Sequence, residues 1–393
     1  MVETVASSAP YRGLTDRPAY TPAVTQVTTS AGFLSLGQAT SRTIALRSAA
    51  RGRLQRTLLV HGPAGSGKGA FVDDLLALLL CQAVDGERPC NICPGCRQAR
   101  AHTHPDLVIG SPERWREERS TGESIVAAAR SWLAEGAGAP IAGERRVILV
   151  EGVDRANEQT QNALLKALEE PTVRHMFILV ADEPTRVLPT IRSRSQSLRL
   201  GSVPRAELVA WLVDRERLPV DQADALARIS GGMPGTAIGY ARTPRLVDWR
   251  RRTQRELVGL LGRGRADRFS SVRDLLDDAG RIGVEQPSPS EAQMVEDGAR
   301  PTGGAQREAA LLIVDAWLGL ARDLAVAAAG RPEIAAAAAL DPDLPALAEQ
   351  IGQAAIRDFI ALLERIRDGL RQNAAPRLAL EVAMLAWPTQ APR

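Results

Sequence analysis

The chain has 393 residues, enough for two or three domains that each bury a core. A hydrophobic share of 45% with 24% charged residues is ordinary for a globular protein, and a net charge of +3 is too small to identify a nucleic-acid binder by itself. No apolar run reaches the ~18 residues needed to cross a bilayer, and residues 1–30 lack the apolar core of a signal peptide. No membrane partner is therefore expected, and the cytoplasm is the expected compartment. Among 49 basic residues only Lys68 and Lys166 are lysines. A coding bias toward arginine accounts for the rest, which sets these two apart.

Residues 1–32 show no sustained apolar period and are expected to form a flexible leader. The run 57–60 suits a buried parallel strand. A glycine-rich turn follows, then a helix over 70–80 with Phe71, Leu75, Leu78 and Leu79 on its apolar face. Further strands are predicted at 107–109, 147–150 and 177–181, with helices between them at 125–135 and 158–169. Such alternation predicts a parallel α/β sheet covered on both faces. After about residue 200 the strand signals stop. Three short helices (204–215, 221–229 and 235–241) form a small helical unit, and an all-helical region runs over 247–387. Residues 285–304, rich in Pro, Ser, Gly and acid, interrupt that region as an exposed loop. The alanine-rich run 325–339 reads as packed helices broken near residues 330–332.

Cys81, Cys90, Cys93 and Cys96 are all the cysteines of the chain, spaced C-x8-C-x2-C-x2-C. Four thiolates so placed can close a tetrahedron around Zn²⁺ and leave no position for a reacting water, so the metal is expected to be structural. Disulfides are the alternative, disfavoured in a cytosolic chain. His102 and His104 follow closely and read as loop residues.

Gly62-Pro63-Ala64-Gly65-Ser66-Gly67-Lys68-Gly69 lies between a strand and a helix, the setting of a phosphate-binding loop. There Gly62, Gly65 and Gly67 free backbone N–H groups for phosphate oxygens, and Lys68 adds a point charge. Gly69 replaces the hydroxyl that would ligate Mg²⁺. The strand at 147–150 ends in one carboxylate, Glu151, followed by Gly152 where hydrolysing enzymes commonly carry a second acid. Glu151 reads equally as a metal-holding group and as a solvated strand end. Weak binding of ATP or ADP stays open on these residues.

These motifs occur in one order with Thr103-His104-Pro105-Asp106-Leu107, Asn162-Ala163-Leu164-Leu165-Lys166-Ala167-Leu168-Glu169-Glu170-Pro171 and Ile191-Arg192-Ser193-Arg194-Ser195-Gln196. Together they resemble the delta-prime and gamma/tau subunits of the bacterial DNA polymerase III clamp loader, over residues 33–241. The resemblance implies α/β plus all-α architecture: an AAA+ P-loop domain over 33–201 with a zinc knuckle at 81–96, a helical lid over 202–243 and a helical collar over 244–393. It further implies a pentameric ring with gamma/tau and delta subunits that places a sliding clamp on primed DNA. Arg194 is implied as an arginine finger reaching a neighbouring subunit's ATP site, although Ser195 departs from the usual Ser-Arg-Cys. Gly69, Gly152, Ala181 and Thr236 stand where a motor subunit would carry nucleotide chemistry. The resemblance thus favours the delta-prime type, an accessory subunit of the polymerase holoenzyme that is not an enzyme by itself.

An active gamma/tau-like ATPase with an unusual loop is the alternative. A third reading, an independent zinc-knuckle DNA-binding protein, would use Arg42, Arg47, Arg51, Arg53 and Arg56, a stretch without acids that also reads as a solvated helix face.

Overall fold

The computed structural model describes residues 32–84, 86–120, 122–169, 174–283, 303–331, 335, 343–372 and 374–388. The expected leader falls outside them save Gly32, as does the loop expected at 285–304 save Gly303 and Gly304, which open a helix. Most of the alanine-rich run beyond residue 331 also lies outside the described residues.

Five parallel strands form one sheet: β1 (Thr57–His61), β2 (Leu107–Gly110), β3 (Arg146–Val150), β4 (His175–Ala181) and β5 (Gln196–Arg199), in the spatial order β2-β3-β4-β1-β5. Because side chains alternate along a strand, each central strand feeds two cores. Leu58, Val60, Val147, Leu149 and Ile178 pack with Phe33, Phe71 and Leu75 on one face. Leu59, Ile148, Phe177 and Leu179 meet Trp115, Trp132, Leu164 and Leu168 on the other. The first face is covered by α1 (Ala39–Ala50), α2 (Lys68–Leu80) and α3 (Pro94–Arg100), the second by α4 (Pro112–Glu118), α5 (Ile125–Gly136) and α6 (Glu158–Glu169). A short α7 (Pro189–Ser193) leads into β5.

Five of these elements lie beyond the sequence expectation, α7 with its five residues among them. Edge strand β5 has a single buried position, Leu198, and so shows no apolar run. Helix α1 buries Ser41, Arg42 and Ala45 rather than large apolar side chains, which silences its periodicity. Helices α3 and α4 have seven residues each, too short to display a period. Helix α1 also corrects the reading of the arginine stretch. Arg42 is buried, donates to the Ser35 carbonyl and lies 5.9 Å over the Phe33 ring. It braces the fold, and only Arg47, Arg51, Arg53 and Arg56 face solvent.

Beyond the sheet, α8 (Arg205–Arg215), α9 (Val220–Ile229) and α10 (Pro234–Arg242) close a small core around Leu208, Leu212, Leu226 and Tyr240. The remaining described helices are α11 (Pro244–Gly259), α12 (Arg265–Gly283), α13 (Gly303–Ala328), α14 (Leu344–Ile351), α15 (Gln353–Arg371) and α16 (Pro376–Ala386). They share one core, with Ile313, Val314, Trp317, Leu320 and Leu324 of α13 inside it. Arg268 of α12 is 1% exposed and closes this bundle by donating to the carbonyls of Leu260, Arg263, Met384, Trp387 and Pro388. A guanidinium at the end of α16 offsets the partial negative charge of its orphan carbonyls. Among the described residues no helix is long and apolar enough to cross a membrane.

Candidate functional site

All strands run parallel, so the turns after β1, β3 and β4 emerge at the same edge of the sheet. The glycine-rich loop follows β1 and ends where Lys68 opens α2. Lys68 Nζ donates to the carbonyls of Gly62 (2.8 Å) and Pro63 (2.9 Å) and pairs with Asp182 Oδ1 at 2.6 Å. Asp182 directly follows β4, whose last residue Ala181 is level with His61. The small helical unit rests on the same loop. The Gly235 N–H donates to the Gly65 carbonyl (2.8 Å), and a Cβ on Gly65 would stand 2.1 Å from Thr236 Oγ1. With φ of 78° as well, position 65 admits only glycine readily. Gln38 fixes the far side, donating to the carbonyls of Ser66 and Gly201. In front of the loop opens a cleft of about 810 Å³, reached by His61 and Asp182 from the sheet, Tyr240 from α10 and Arg250 and Arg322 from α11 and α13.

Two glycines differ in what they exclude. A side chain at Gly69 would meet nothing within 4 Å, so the missing hydroxyl is a matter of chemistry rather than space. Gly152 is in the left-handed region (φ 62°), and a Cβ there would stand 2.2 Å from the Arg155 guanidinium, which pairs with Glu113 at 3.3 Å. Position 152 thus lies in a turn that L side chains adopt at a cost, with the end of the Arg155 side chain over it. Glu151 itself, directly after β3, is exposed, its N–H donating to the Gly110 carbonyl.

Arg194 lies at the other edge of the sheet. It caps α7, is 43% exposed, donates to the Thr190 carbonyl and pairs with Glu169 of α6 at 3.1 Å. Gln196 is level with Leu58, four residues before Gly62, a rise of about 13 Å. Arg194 stands two residues further back, out of reach of its own loop. Lys166 is exposed on α6.

The four cysteines converge, with all candidate ligand atoms within 4.8 Å of one another. Sulfur separations of 3.6 Å (Cys81–Cys90), 3.9 Å (Cys81–Cys93) and 4.0 Å (Cys90–Cys96) match the ~3.8 Å edge of a tetrahedron with ~2.3 Å metal–sulfur bonds. Backbone N–H groups of Gln82 and Cys96 donate to Cys93 Sγ, and those of Ala83 and Cys90 to Cys81 Sγ. Burial acts to raise the Cys93 thiol, but the two backbone donors and its cysteine neighbours outweigh it and bring it to about 6. The residues present fit a tetrahedral thiolate-bound metal ion such as zinc.

Two residues that hold these parts in place, Asp74 and Gln161, lie outside the sequence motifs. Asp74 of α2 is fully buried and accepts from the N–H groups of Leu34 and Ser35 (2.8 Å each) and from Arg100 Nη2 (2.7 Å), tying α2 to α3 of the cysteine module. Gln161 donates to the carbonyls of Ala156 and Arg186 and accepts from the Leu188 N–H, which seats α7 and Arg194. Its signal was a polar residue in register with Leu164 and Leu168. Of the two histidines read as loop residues, His104 is buried and accepts from the Asp106 N–H. Asp106 in turn accepts from the N–H groups of Ile141, Ala142 and Gly143, which locks the approach to β3.

Comparison with known proteins bears on the α/β part. A family model described as DNA polymerase III, delta subunit, matches residues 38–204. DNA polymerase III subunit delta' of Escherichia coli K12 is 34% identical over 187 residues, which cover 48% of this chain and 54% of that one. The delta' subunit of Pseudomonas aeruginosa is 35% identical over 204 residues, 49% of this chain and 58% of that one. The gamma/tau subunit of Mycobacterium tuberculosis H37Rv is 29% identical over 188 residues, 47% of this chain and 32% of that one. The chain thus spans a little over half the length of the delta' relatives it matches. A solved gamma-subunit-related protein of Thermotoga maritima overlaps with a TM-score of 0.36 at 15% identity, over 89% of this chain and 98% of that one, a likeness too loose to bear on the site. The matched span holds the loop, the cysteine module and Arg194 together, and over it the α/β part of this chain is similar to the delta-prime and gamma/tau subunits of DNA polymerase III.

Proposed function

We propose that this chain is a delta-prime type subunit of a cytoplasmic clamp loader. It joins gamma/tau and delta subunits in a five-membered ring that opens the sliding clamp and seats it on primed DNA. In this reading Cys81, Cys90, Cys93 and Cys96 hold a structural zinc that cross-links the segment between α2 and α3. The chain hydrolyses no ATP itself: Gly69 offers no magnesium ligand, and Arg155 covers the place where Gly152 would need an acid. The domain limits carried with this reading are 33–201, 202–243 and 244–393.

The observation that carries the proposal is the position of Arg194, half exposed at the sheet edge opposite its own loop. At rest this guanidinium pairs with Glu169 of its own chain, and the nucleotide site it could reach is one on a neighbouring chain. Phosphoryl transfer spreads negative charge over the γ-phosphate, and an arginine from a neighbour stabilises it bidentately. Removing such fingers costs about 10³–10⁵ in rate at the site concerned. Reconstituted complexes carrying Arg194→Ala should assemble and keep their zinc, while DNA-stimulated ATPase and clamp loading fall. Arg194→Lys should rescue poorly, because an ammonium lacks the planar fork, and Arg192→Ala should do less harm. Clamp loading by the Arg194→Ala complex at the wild-type rate would sink the finger assignment.

The active gamma/tau-like reading keeps one observation in its favour, an intact loop with its lysine at the start of α2. Turnover by the isolated chain at the rate of an AAA+ motor would establish that reading instead.

A further inference from the structure

The loop lysine is already engaged. An ammonium has three N–H donors, and those of Lys68 go to the Gly62 carbonyl, the Pro63 carbonyl and Asp182 Oδ1. Only 11% of the lysine side chain remains exposed. The backbone that carries this carboxylate is held from behind. Buried Asp154 accepts from the backbone N–H groups of both Asp182 (3.1 Å) and Glu183 (2.9 Å), fixing the turn by which β4 ends beside β1. The rest of the cradle is not filled in this way. The first N–H groups of α2 have no intrahelical partner, and Ser66 Oγ is wholly buried in the loop without a hydrogen-bond partner.

We propose that Asp182 is an internal substitute for phosphate: its carboxylate occupies the subsite at Lys68 that a nucleotide phosphate would take, and this pairing competes with nucleotide for the loop. A triphosphate arriving at the loop must displace the carboxylate from Lys68. It must then lie against that same negative charge, which stays anchored through Asp154. Neutralising Asp182 removes both obstacles at once and leaves the donors of the loop intact. The inference rests on the non-hydrolysing reading of this same loop and adds the residue that sets its occupancy.

The test is equilibrium titration of the purified full chain with ATP and with ADP, with and without Mg²⁺. The proteins are wild type, Asp182→Asn, Asp182→Ser, Lys68→Ala and the Asp182→Asn/Lys68→Ala double variant, each checked for zinc content and thermal unfolding. Asp182 is 39% exposed, so the polar replacements should fold. Asp182→Asn and Asp182→Ser should bind nucleotide at least about tenfold more tightly than wild type, a change of about 1.4 kcal/mol. The double variant should lose that gain, because the gain acts through Lys68. Binding by both Asp182 variants that equals or falls below wild type overturns the proposal, as does an undiminished gain in the double variant. ATP turnover measured on the same samples separates the two ideas. Turnover by wild type overturns the non-hydrolysing reading, whereas the role of Asp182 is decided by the affinity comparison alone.

Discussion

Replacing Asp74 by Asn should loosen the cysteine module from the phosphate-loop helix. The carboxylate is wholly buried, with Oδ1 taking the Leu34 N–H and Arg100 and Oδ2 taking the Ser35 N–H. An amide can best keep the two bonds at Oδ1, which turns its NH₂ against the Ser35 N–H and leaves two donors facing each other. An unsatisfied buried donor costs about 1–3 kcal/mol, and the charge on Arg100 loses a partner whose bond contributes about 1.5–3 kcal/mol. Breaking a buried ion pair from one side costs about 3–5 kcal/mol. The lower end applies here, since Arg100 is 21% exposed and keeps its bonds to Asn91 Oδ1. A loss of about 3 kcal/mol should lower the unfolding temperature of the α/β part by about 6–12 °C. Circular dichroism melts read that shift, and release of zinc to a colorimetric chelator should be faster than from wild type. A cycle with Arg100→Met should return a coupling of about 0.5–3 kcal/mol. A shift under about 2 °C, or strict additivity with Arg100→Met, would refute this account of the buried pair.

The purified chain should carry one zinc, and Cys96→Ser should lose it while the sheet and helices persist by circular dichroism; elemental analysis without stoichiometric metal, alongside four titratable thiols, decides against the site. Asp106→Asn should destabilise the chain in a pH-dependent way. Burial acts to raise the Asp106 carboxyl, but the N–H groups of Ile141, Ala142 and Gly143 together with His104 outweigh it and hold it below the ordinary carboxylate range. A depressed carboxyl stabilises the folded state above its unfolded value of about 3.9. The gap in melting temperature between wild type and Asp106→Asn should therefore be full at neutral pH and close as pH falls below about 4. Gly69→Ser should leave stability unchanged and ATP turnover at background, because its hydroxyl enters open space and no acid orients water. Gly152→Glu should instead cost about 1–2 kcal/mol from its left-handed backbone, with the exposed end of Arg155 moving aside, as thermal melts would show.

What the amino-acid order determined by itself was local and periodic. Apolar runs placed β1, β3 and β4, because central parallel strands are buried on both faces and read as continuous hydrophobic stretches, and the run Leu107-Val108-Ile109 placed half-buried edge strand β2 as well. The phosphate loop and the cysteine spacing were equally legible, since each packs its chemistry into a few consecutive residues. Edge strand β5 and helix α1 were not, because they bury one leucine in the first case and Ser41, Arg42 and Ala45 in the second. The site itself turned on polar contacts between strands and between the sheet and the small helical unit. Lys68 meets a carboxylate 114 residues away in the chain, Thr236 and Gly235 reach Gly65 from the helical unit, and Arg194 is seated by Glu169 and, through α7, by Gln161. Even the short-range overlap of Arg155 with Gly152 depends on a backbone turn that no residue pattern spells out. A polar side chain inside a fold has no period, and its partner is chosen by which strand lies beside which. That order, β2-β3-β4-β1-β5, puts Asp182 next to the loop, and the parallel direction of β1 and β5 puts Arg194 at the opposite end of the strands; only the assembled sheet decides either.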